Sequence, residues 1–426
     1  MPSDARSACI DILARVYAGC PVQEALAYPL DLHAKDQALL HELTLGVLRT
    51  EIRLNTILER YLSASEKLPI AMWHILQIGL YSLLFLERIP DHAAVSSAVN
   101  ATENRFGTKL ARVTNAVLRA ILRDRPMLLE PAWYVKKDEP LTVRTIHALA
   151  RFYSLPTWLL RYWVDAYGIG AGLALARRSF ERPQIGLLFA KGAALPVGSG
   201  VRRISPTGFV LTAEAFRRFS ESNDIQKLHA EGTLSYLAGG TQAVLAKLGL
   251  TESDGPFWDM CAGFGGKSGY LANLGIPVTL CTDTSWKRLS QLARDFARRK
   301  LPLPVRVLAD AKKPPLTRFA GGILLDAPCS SLGVLARRPD VKLNRQKKRS
   351  LRLFPPQQKT LLQSGLSLLE KNRRLAYITC TVNPQENGAL IRETIAHSSF
   401  ELEYEWQTPH TEYALEGMYG ALIRRM

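Results

Sequence analysis

Two cysteines stand where thiol chemistry could be run. Cys329 lies in Leu325-Asp326-Ala327-Pro328-Cys329-Ser330-Ser331. Cys380 lies in Tyr377-Ile378-Thr379-Cys380-Thr381-Val382-Asn383-Pro384-Gln385-Glu386-Asn387. Each follows an apolar run, Gly322 to Leu325 and Leu375 to Ile378, that reads as a buried parallel strand. Each thiol is therefore expected at the carboxyl end of a strand, where open α/β sheets hold ligands. Upstream, Trp258-Asp259-Met260-Cys261-Ala262-Gly263-Phe264-Gly265-Gly266-Lys267-Ser268 reads as a strand, a glycine-rich turn and a helix start. A nucleotide-type cofactor site joined to two strand-end thiols points to covalent chemistry on a base.

Carbon 5 of cytosine is too poor a nucleophile to take a methyl group unaided. Addition of a thiolate at carbon 6 makes an enamine and renders carbon 5 reactive. Such a reaction also needs an acid near ring nitrogen 3 and a base for the carbon 5 proton. Asp326, three residues before Cys329, is suited to hydrogen-bond ring nitrogen 3 if it is protonated. A free cysteine on its own is more often a small buried hydrophobe, and Cys9, Cys20 and Cys281 are expected to be that. Cys329 and Cys380 differ by lying in polar, proline-containing loops.

Gly263, Gly265 and Gly266 allow close approach of backbone to a ligand and leave amides free at the next helix start. Asp283 ends the following strand, 20 residues after Gly263, where an acid commonly meets ribose hydroxyls. Asp310 ends the third strand and could meet an adenine amino group. Either acid alone could be a helix cap. In order, each at a strand end, they favour the ligand reading.

The 426 residues imply two or three domains, and a hydrophobic content of 47% supplies ample cores. A formal net charge of +17 favours a polyanionic partner, nucleic acid ahead of a membrane surface. Eight basic residues fall between Arg337 and Arg352: Arg337, Arg338, Lys342, Arg345, Lys347, Lys348, Arg349 and Arg352. Directly after the Cys329 loop, they read as a backbone-phosphate cradle. The start of the chain is polar and shows no secretory signal. The six cysteines are sparse and lack Cys-x-x-Cys spacing, so reduced thiols of a cytoplasmic protein and no metal site are expected. The longest apolar stretch, Ile70 to Leu86, carries His74 and Gln77 and is too short to span a membrane.

The elements that must position these groups follow from periodicity. Residues 1–125 show three- and four-residue apolar steps and no strand-like alternation, which predicts an all-α domain. Pro126 to Pro140 reads as a linker. Residues 142–231 read as a small α+β module, with helices at Ala148 to Tyr167 (broken near Pro156) and Ala171 to Phe180. Its apolar runs at Ile185 to Phe189 and Gly208 to Leu211 read as strands. Residues 232–426 alternate strand and helix and predict a doubly wound sheet. Strands are expected at Phe257–Trp258, Val278–Cys281, Val305–Leu308, Gly322–Leu325 and Leu375–Ile378.

These motifs resemble those of the RNA 5-methylcytosine methyltransferases, which use S-adenosyl-L-methionine. Among them the chain is similar to the bacterial RsmB (Sun/Fmu) type, which acts on small-subunit ribosomal RNA. The Asp-Ala-Pro-Cys-Ser loop and the Thr-Cys-Thr loop with Glu-Asn after it carry the likeness as a pair. The resemblance implies Cys380 as nucleophile and Cys329 as the thiol that assists product release. It implies cofactor binding by Cys261, Ala262, Gly263, Phe264, Gly265, Gly266 and Lys267, with Asp283, Asp310 and Asp326. DNA cytosine methyltransferases attack from the Pro-Cys cysteine and lack the second loop, so the pair argues for RNA. Lys35 to Leu40, Gly46 to Thr50, Arg88 to Ala94 and Asn115 to Arg119 resemble a NusB-like RNA-binding domain. The fold implied is a NusB-like helical bundle, a small α+β RNA-binding module and a Rossmann-like methyltransferase, acting as a monomer on ribosomal RNA away from membranes. Departures stand at Phe264, where the family has proline, and at Tyr236 to Gly240, where it has Gln-Asp. Others are Ala336 in place of arginine and Leu188 to Lys191 in place of an Arg-Val-Asn strand. The same chemistry on transfer RNA, and a non-catalytic RNA-binding assembly factor, are the alternatives.

Overall fold

The periodicity of the N-terminal third produces helices, and their apolar faces build one core. The structure is a computed structural model, and its description covers residues 4–28, 32–62, 68–136, 138–344 and 348–426. The chain forms two compact units, Met1–Glu181 with Leu335–Lys348, and Arg182–Val334 with Arg349–Met426.

The first unit contains α1 (Ala5–Tyr17), α2 (Val22–Leu26), α3 (Ala34–Tyr61), α4 (Ile70–Phe85), α5 (Asp91–Phe106), α6 (Thr108–Leu128), α7 (Leu141–Phe152) and α8 (Thr157–Phe180). Helix α4 is buried on all sides, as its uniform hydrophobicity requires. His74 and Gln77, two polar residues within it, pair with each other. His74 Nδ1 and Gln77 Oε1 lie 3.1 Å apart, and Gln77 Nε2 donates to Asn55 Oδ1 at 2.8 Å. The break near Pro156 occurs as the sequence predicts, and Gly168, at φ 81°, interrupts α8.

The stretch from Pro126 to Pro140 is not a free linker. Its start completes α6, and Pro131–Tyr134 forms a short 3-10 turn. Tyr134 is fully buried because Arg53 needs it: Nε donates to the Tyr134 hydroxyl at 2.8 Å and Nη2 to Leu128 O at 2.7 Å. The same guanidinium lies 4.2 Å from the centre of the Phe152 ring. Contacts of this kind hold α7 and α8 against α3, so the chain divides at residue 181 rather than near 142.

The second unit holds two sheets. Strands β1 (Ile185–Phe189), β2 (Val201–Arg203), β3 (Gly208–Leu211) and, after α9 (Ala213–Ser222) and α10 (Ile225–Ala230), β4 (Leu234–Tyr236) form an antiparallel sheet in the order β2-β3-β1-β4. Helix α11 (Gly239–Leu248) leads into the larger sheet. Its elements are β5 (Phe257–Asp259), α12 (Gly266–Asn273), β6 (Val278–Asp283), α13 (Trp286–Arg298), β7 (Val305–Leu308) and β8 (Gly322–Asp326). Helix α14 (Asp340–Asn344) lies within the excursion to the first unit. The unit ends with α15 (Phe354–Leu368), β9 (Arg374–Thr379), α16 (Gly388–Ile395), β10 (Phe400–Gln407) and β11 (Tyr419–Arg425). The order is β10-β11-β9-β8-β5-β6-β7, parallel from β9 to β7 and antiparallel at β11 and β10. The five parallel strands are those read from the sequence; β10 and β11 are additions. Strand order reverses between β8 and β6 around β5, which marks the carboxyl ends of these strands as the ligand crevice.

The basic run after the Cys329 loop is not wholly a solvated face. Lys342 is 4% exposed, and its Nζ donates to Arg49 O at 2.6 Å and Ser154 O at 2.9 Å. Arg49 Nε in turn donates to Ala336 O at 3.0 Å. Burial pushes the Lys342 ammonium down to about 7, against the attraction of Glu51. Lys342 is thus withdrawn from the expected phosphate cradle, while Arg349 and Arg352 remain exposed. Arg345 and Lys347 lie outside the described residues, as does the side chain of Lys348.

Lys342→Met keeps the aliphatic stem but leaves two buried carbonyls without their donor, a cost of about 1–3 kcal/mol. The expected outcome is faster limited proteolysis between residues 335 and 348, mapped by peptide mass. An unchanged cleavage rate there would show that Lys342 does not anchor the segment.

Candidate active site

Parallel pairing of β8 with β9 aligns Asp326 with Ile378, so the two chain segments leave the sheet side by side. Ala327 N donates to Ile378 O at 2.9 Å, and Gly333 N to Cys380 O at 3.0 Å. The Ser330 and Thr381 hydroxyls meet at 2.7 Å. These ties bring Cys329 Sγ to 3.2 Å from Cys380 Sγ, across 51 residues of sequence.

The two thiols differ electrostatically. The hydrogen bond from Cys329 holds the Cys380 thiol below its ordinary value, against burial and Asp326; Ser331, whose Oγ is 3.6 Å away, and Lys267 also lower it. Cys329 is pushed well up by its bond to Cys380, by burial and by Glu386. Of the two, Cys380 is the thiol more readily deprotonated.

Asp326, at the end of β8, forms an ion pair with Lys267 of α12. The partner that the structure gives Asp326 is therefore a lysine. Burial alone would depress Lys267, but Asp326, with Cys380 and Asp259, lifts it above the ordinary lysine value.

The glycine-rich turn runs from β5 to α12. Gly263 and Gly265 have φ of 55° and 80°, which favour glycine, and a Cβ on Gly265 would come within 2.5 Å of Leu292. Helix α12 opens with no side-chain cap, so its first-turn amides, from Gly266 onward, are available to an anion. Ala262 N bonds to Thr282 O at 2.9 Å, and Phe264 is 62% exposed. Asp283 is buried at the end of β6, where it accepts from Gly263 N at 2.9 Å and Ser285 N at 2.8 Å. Asp310 is exposed after β7, with Oδ1 accepting from Lys312 N at 2.9 Å. The Cys261 thiol is pushed up by burial and by Asp259, Asp326, Asp283 and Asp310. A cleft of about 260 Å³ adjoins the turn, with Tyr236, Phe264, Gly266, Gln291 and Arg298 in its wall.

Sequence reasoning left three participants unassigned. Asp259 ends β5, fully buried, and accepts from Ser268 Oγ at 2.5 Å and Cys261 N at 3.3 Å. Glu386 accepts from Ser330 N at 2.8 Å, Gln358 Nε2 at 3.0 Å and Asn383 Nδ2 at 2.8 Å. Asn387 accepts from Thr379 Oγ1 at 2.7 Å and donates to Thr381 O at 3.0 Å. The Glu-Asn that follows the Cys380 loop was the available signal for the last two. Among the described residues no group of three or more His, Cys, Asp or Glu could hold a metal ion, and no helix is long and apolar enough to cross a membrane.

Comparison with known proteins matches the two parts separately. Residues 246–417 match the family model described as 16S rRNA methyltransferase RsmB/F, and residues 3–123 match the NusB family. A Bacillus subtilis protein named as a probable ribosomal RNA small subunit methyltransferase B is 29% identical, over 87% of this chain and 83% of its own. A Vibrio cholerae protein named as ribosomal RNA small subunit methyltransferase B is 28% identical, over 92% of this chain and 91% of its own. A crystal structure described as PH0851 aligns with 100% of this chain and 99% of its own, with a TM-score of 0.73 at 18% identity. NSun6 from Pyrococcus horikoshii, solved with SFG, aligns with 64% of this chain and 99% of its own, with a TM-score of 0.54 at 16% identity. These two structures match the fold. The sheet order and the match over residues 246–417 give the second unit a Rossmann-like methyltransferase fold. Residues 246–417 are thus similar to the RsmB/F family, and the region ahead of them, residues 3–123, to the NusB family.

Burial raises the Asp259 carboxyl from 3.8 to about 7, with a further contribution from Asp326 and against the Ser268 hydrogen bond. The folded chain therefore keeps a proton between those two values that the unfolded chain has lost. The penalty grows as pH rises through that window and is complete above it. Asp259→Asn should stabilise the second unit by about 2–4 kcal/mol at about pH 8 and by much less at about pH 5. Denaturant titrations at the two pH values check this; an equal effect at both would refute it.

Proposed function

We propose that the protein transfers a methyl group from S-adenosyl-L-methionine to carbon 5 of a cytosine in small-subunit ribosomal RNA, through a covalent cysteine–cytosine adduct. The observation that carries this reading is the pair of strand-end sulfurs 3.2 Å apart, one held toward thiolate and the other toward thiol. The names of the relatives support ribosomal RNA as the substrate class. The net charge of +17 suits such a polyanion.

The residues present fit the cofactor. The glycine turn allows close backbone approach, the uncapped start of α12 suits a carboxylate, and Asp283 is placed at a strand end for ribose hydroxyls. Asp310 stands at the next strand end for the adenine amino group, and the loop from Cys261 to Lys267 would line the remainder. When bound, S-adenosylmethionine supplies an electrophilic methyl group.

The chain's own groups do the rest. Cytosine is presented flipped out or from a single-stranded loop. Cys380 Sγ adds to carbon 6, the ring's 5,6 double bond opens, and carbon 5 becomes nucleophilic. Negative charge develops toward ring nitrogen 3, where Asp326 and its partner Lys267 act as one acid: the carboxylate orients and the ammonium supplies charge and proton. After methylation Cys329 assists release. The carbon 5 proton passes to water, the electrons of its bond re-form the 5,6 double bond, and those of the carbon 6–sulfur bond return to Cys380 as the thiolate. The helical NusB-family region and the exposed Arg349 and Arg352 would hold RNA backbone.

The test is incubation with methyl-labelled S-adenosylmethionine and unmodified small-subunit ribosomal RNA, followed by nucleoside digestion. Label in 5-methylcytidine is expected. Label only when transfer RNA is supplied, or no label and no cofactor binding by calorimetry, would overturn the reading. Cys380→Ala should lose turnover by at least about a thousandfold. Cys329→Ala should accumulate a covalent RNA adduct, seen as a gel shift that survives denaturation. Full activity of Cys380→Ala would rule out the assigned nucleophile.

A further inference from the structure

Glu386 is a buried acid that the methyl-transfer scheme leaves unused. It closes the turn Pro384–Glu386, is 0% exposed, and accepts from the Ser330 amide, the Gln358 amide and the Asn383 amide. Every one of these partners is an N–H donor, and a protonated carboxyl would have to donate. The arrangement therefore suits the carboxylate. A buried charge is costly even when hydrogen-bonded, and three neutral donors make an expensive way merely to brace a turn. The loops do not depend on it for their approach. They are also tied by the Ser330–Thr381 hydroxyl contact, by Gly333 N to Cys380 O and by Asn387 Nδ2 to Thr381 O.

The carboxylate is bonded to the amide immediately after Cys329. We propose that Glu386 is a positioning residue that decides which sulfur attacks: its buried charge holds the one proton of the sulfur pair on Cys329 and leaves Cys380 as the thiolate. The proposal rests on the reading of Cys380 as nucleophile. The groups facing the pair support it. From β8 comes Asp326, from α12 Lys267, from β9 Tyr377, and from the turn Glu386 itself. Glu386 raises Cys329, whereas the acid bearing on Cys380 is Asp326, which is offset there by Lys267. Tyr377 is pushed well up by burial and by Cys329 and Glu386, so it stays neutral. The two loops thus see different fields although their sulfurs touch.

The test labels the cysteines without RNA or cofactor, so its outcome is separate from that of the methyl-transfer assay. Both thiols are partly exposed and open to a small reagent. Substoichiometric iodoacetamide at about pH 7, followed by peptide mass analysis, should mark Cys380 before Cys329 in the wild-type protein. Glu386→Gln removes the charge and keeps the side-chain shape, and its amide oxygen can still accept from the Ser330 amide. In that variant the Cys380 to Cys329 labelling ratio should fall by about tenfold, with the pH midpoint of Cys380 labelling moved upward. A Glu386→Gln protein that keeps both the ratio and the midpoint would overturn the proposal. Preferential labelling of Cys329 in the wild type would overturn it without any variant. A mainly structural role would slow methyl transfer without moving the ratio, and that result also counts against it.

Discussion

Register between β8 and β9 is the constraint on which the site depends. In a parallel pair both strands end on the same side, so residues that follow each are neighbours however far apart they are in sequence. Pairing of Asp326 with Ile378 sets how far each loop travels before it turns. A slip of one residue would reverse which side chains face the crevice and separate the sulfurs. The long α15 and the excursion to the first unit occupy the intervening sequence without disturbing this alignment. The apolar residues of β8 and β9, fully buried from Ile323 to Leu325 and from Leu375 to Ile378, make the register expensive to change.

What was legible in the sequence follows the same logic. A parallel strand is buried on both faces and announces itself as an apolar run, which is how β5 to β9 can be read. Strand β10 carries a different signature, the alternation Phe400-Glu401-Leu402-Glu403-Tyr404-Glu405-Trp406, and a search keyed to apolar runs passes over it. The glycine turn and strand-end acids were readable because their residue types are tied to backbone shape. Gln358 was not, because its role is a hydrogen bond to Glu386 across 28 residues. Lys342 shows the opposite failure. Within a basic run every lysine looks solvated, and only the tertiary structure shows one threaded between two backbone carbonyls.

The helical unit follows a parallel rule for buried polar groups. Arg53, Gln77 and Lys342 all lie within 4% of full burial, and each bonds a neighbour fixed on another element or one turn away. Such groups specify one arrangement, because a shifted helix would leave them unsatisfied. This accounts for the docking of Pro131–Tyr134, which composition alone assigns to a linker. Arg53 cannot be buried without the Tyr134 hydroxyl and the Leu128 carbonyl, so the chain after α6 is held where the arginine needs it.

Placing two sulfurs in contact creates a problem that the surrounding residues resolve. Two thiolates at 3.2 Å would repel strongly in a site of low dielectric, and two thiols would leave no nucleophile. A pair able to attack needs one proton between them, and its two sulfurs are chemically alike. Division of labour between them must therefore come from what each one faces. Lys267 and Ser331 favour the charged form of Cys380, while Glu386 disfavours it on Cys329. The Lys267 ammonium is itself kept charged by Asp326, so the carboxylate at the end of β8 acts on Cys380 in two opposed ways, directly and through its partner. In the proposed reaction the same ion pair would face the charge that develops on the bound ring. In the proposed reaction, ground-state selection of the nucleophile and stabilisation of the adduct are then two consequences of one arrangement of fixed charges, set by the ends of three neighbouring strands.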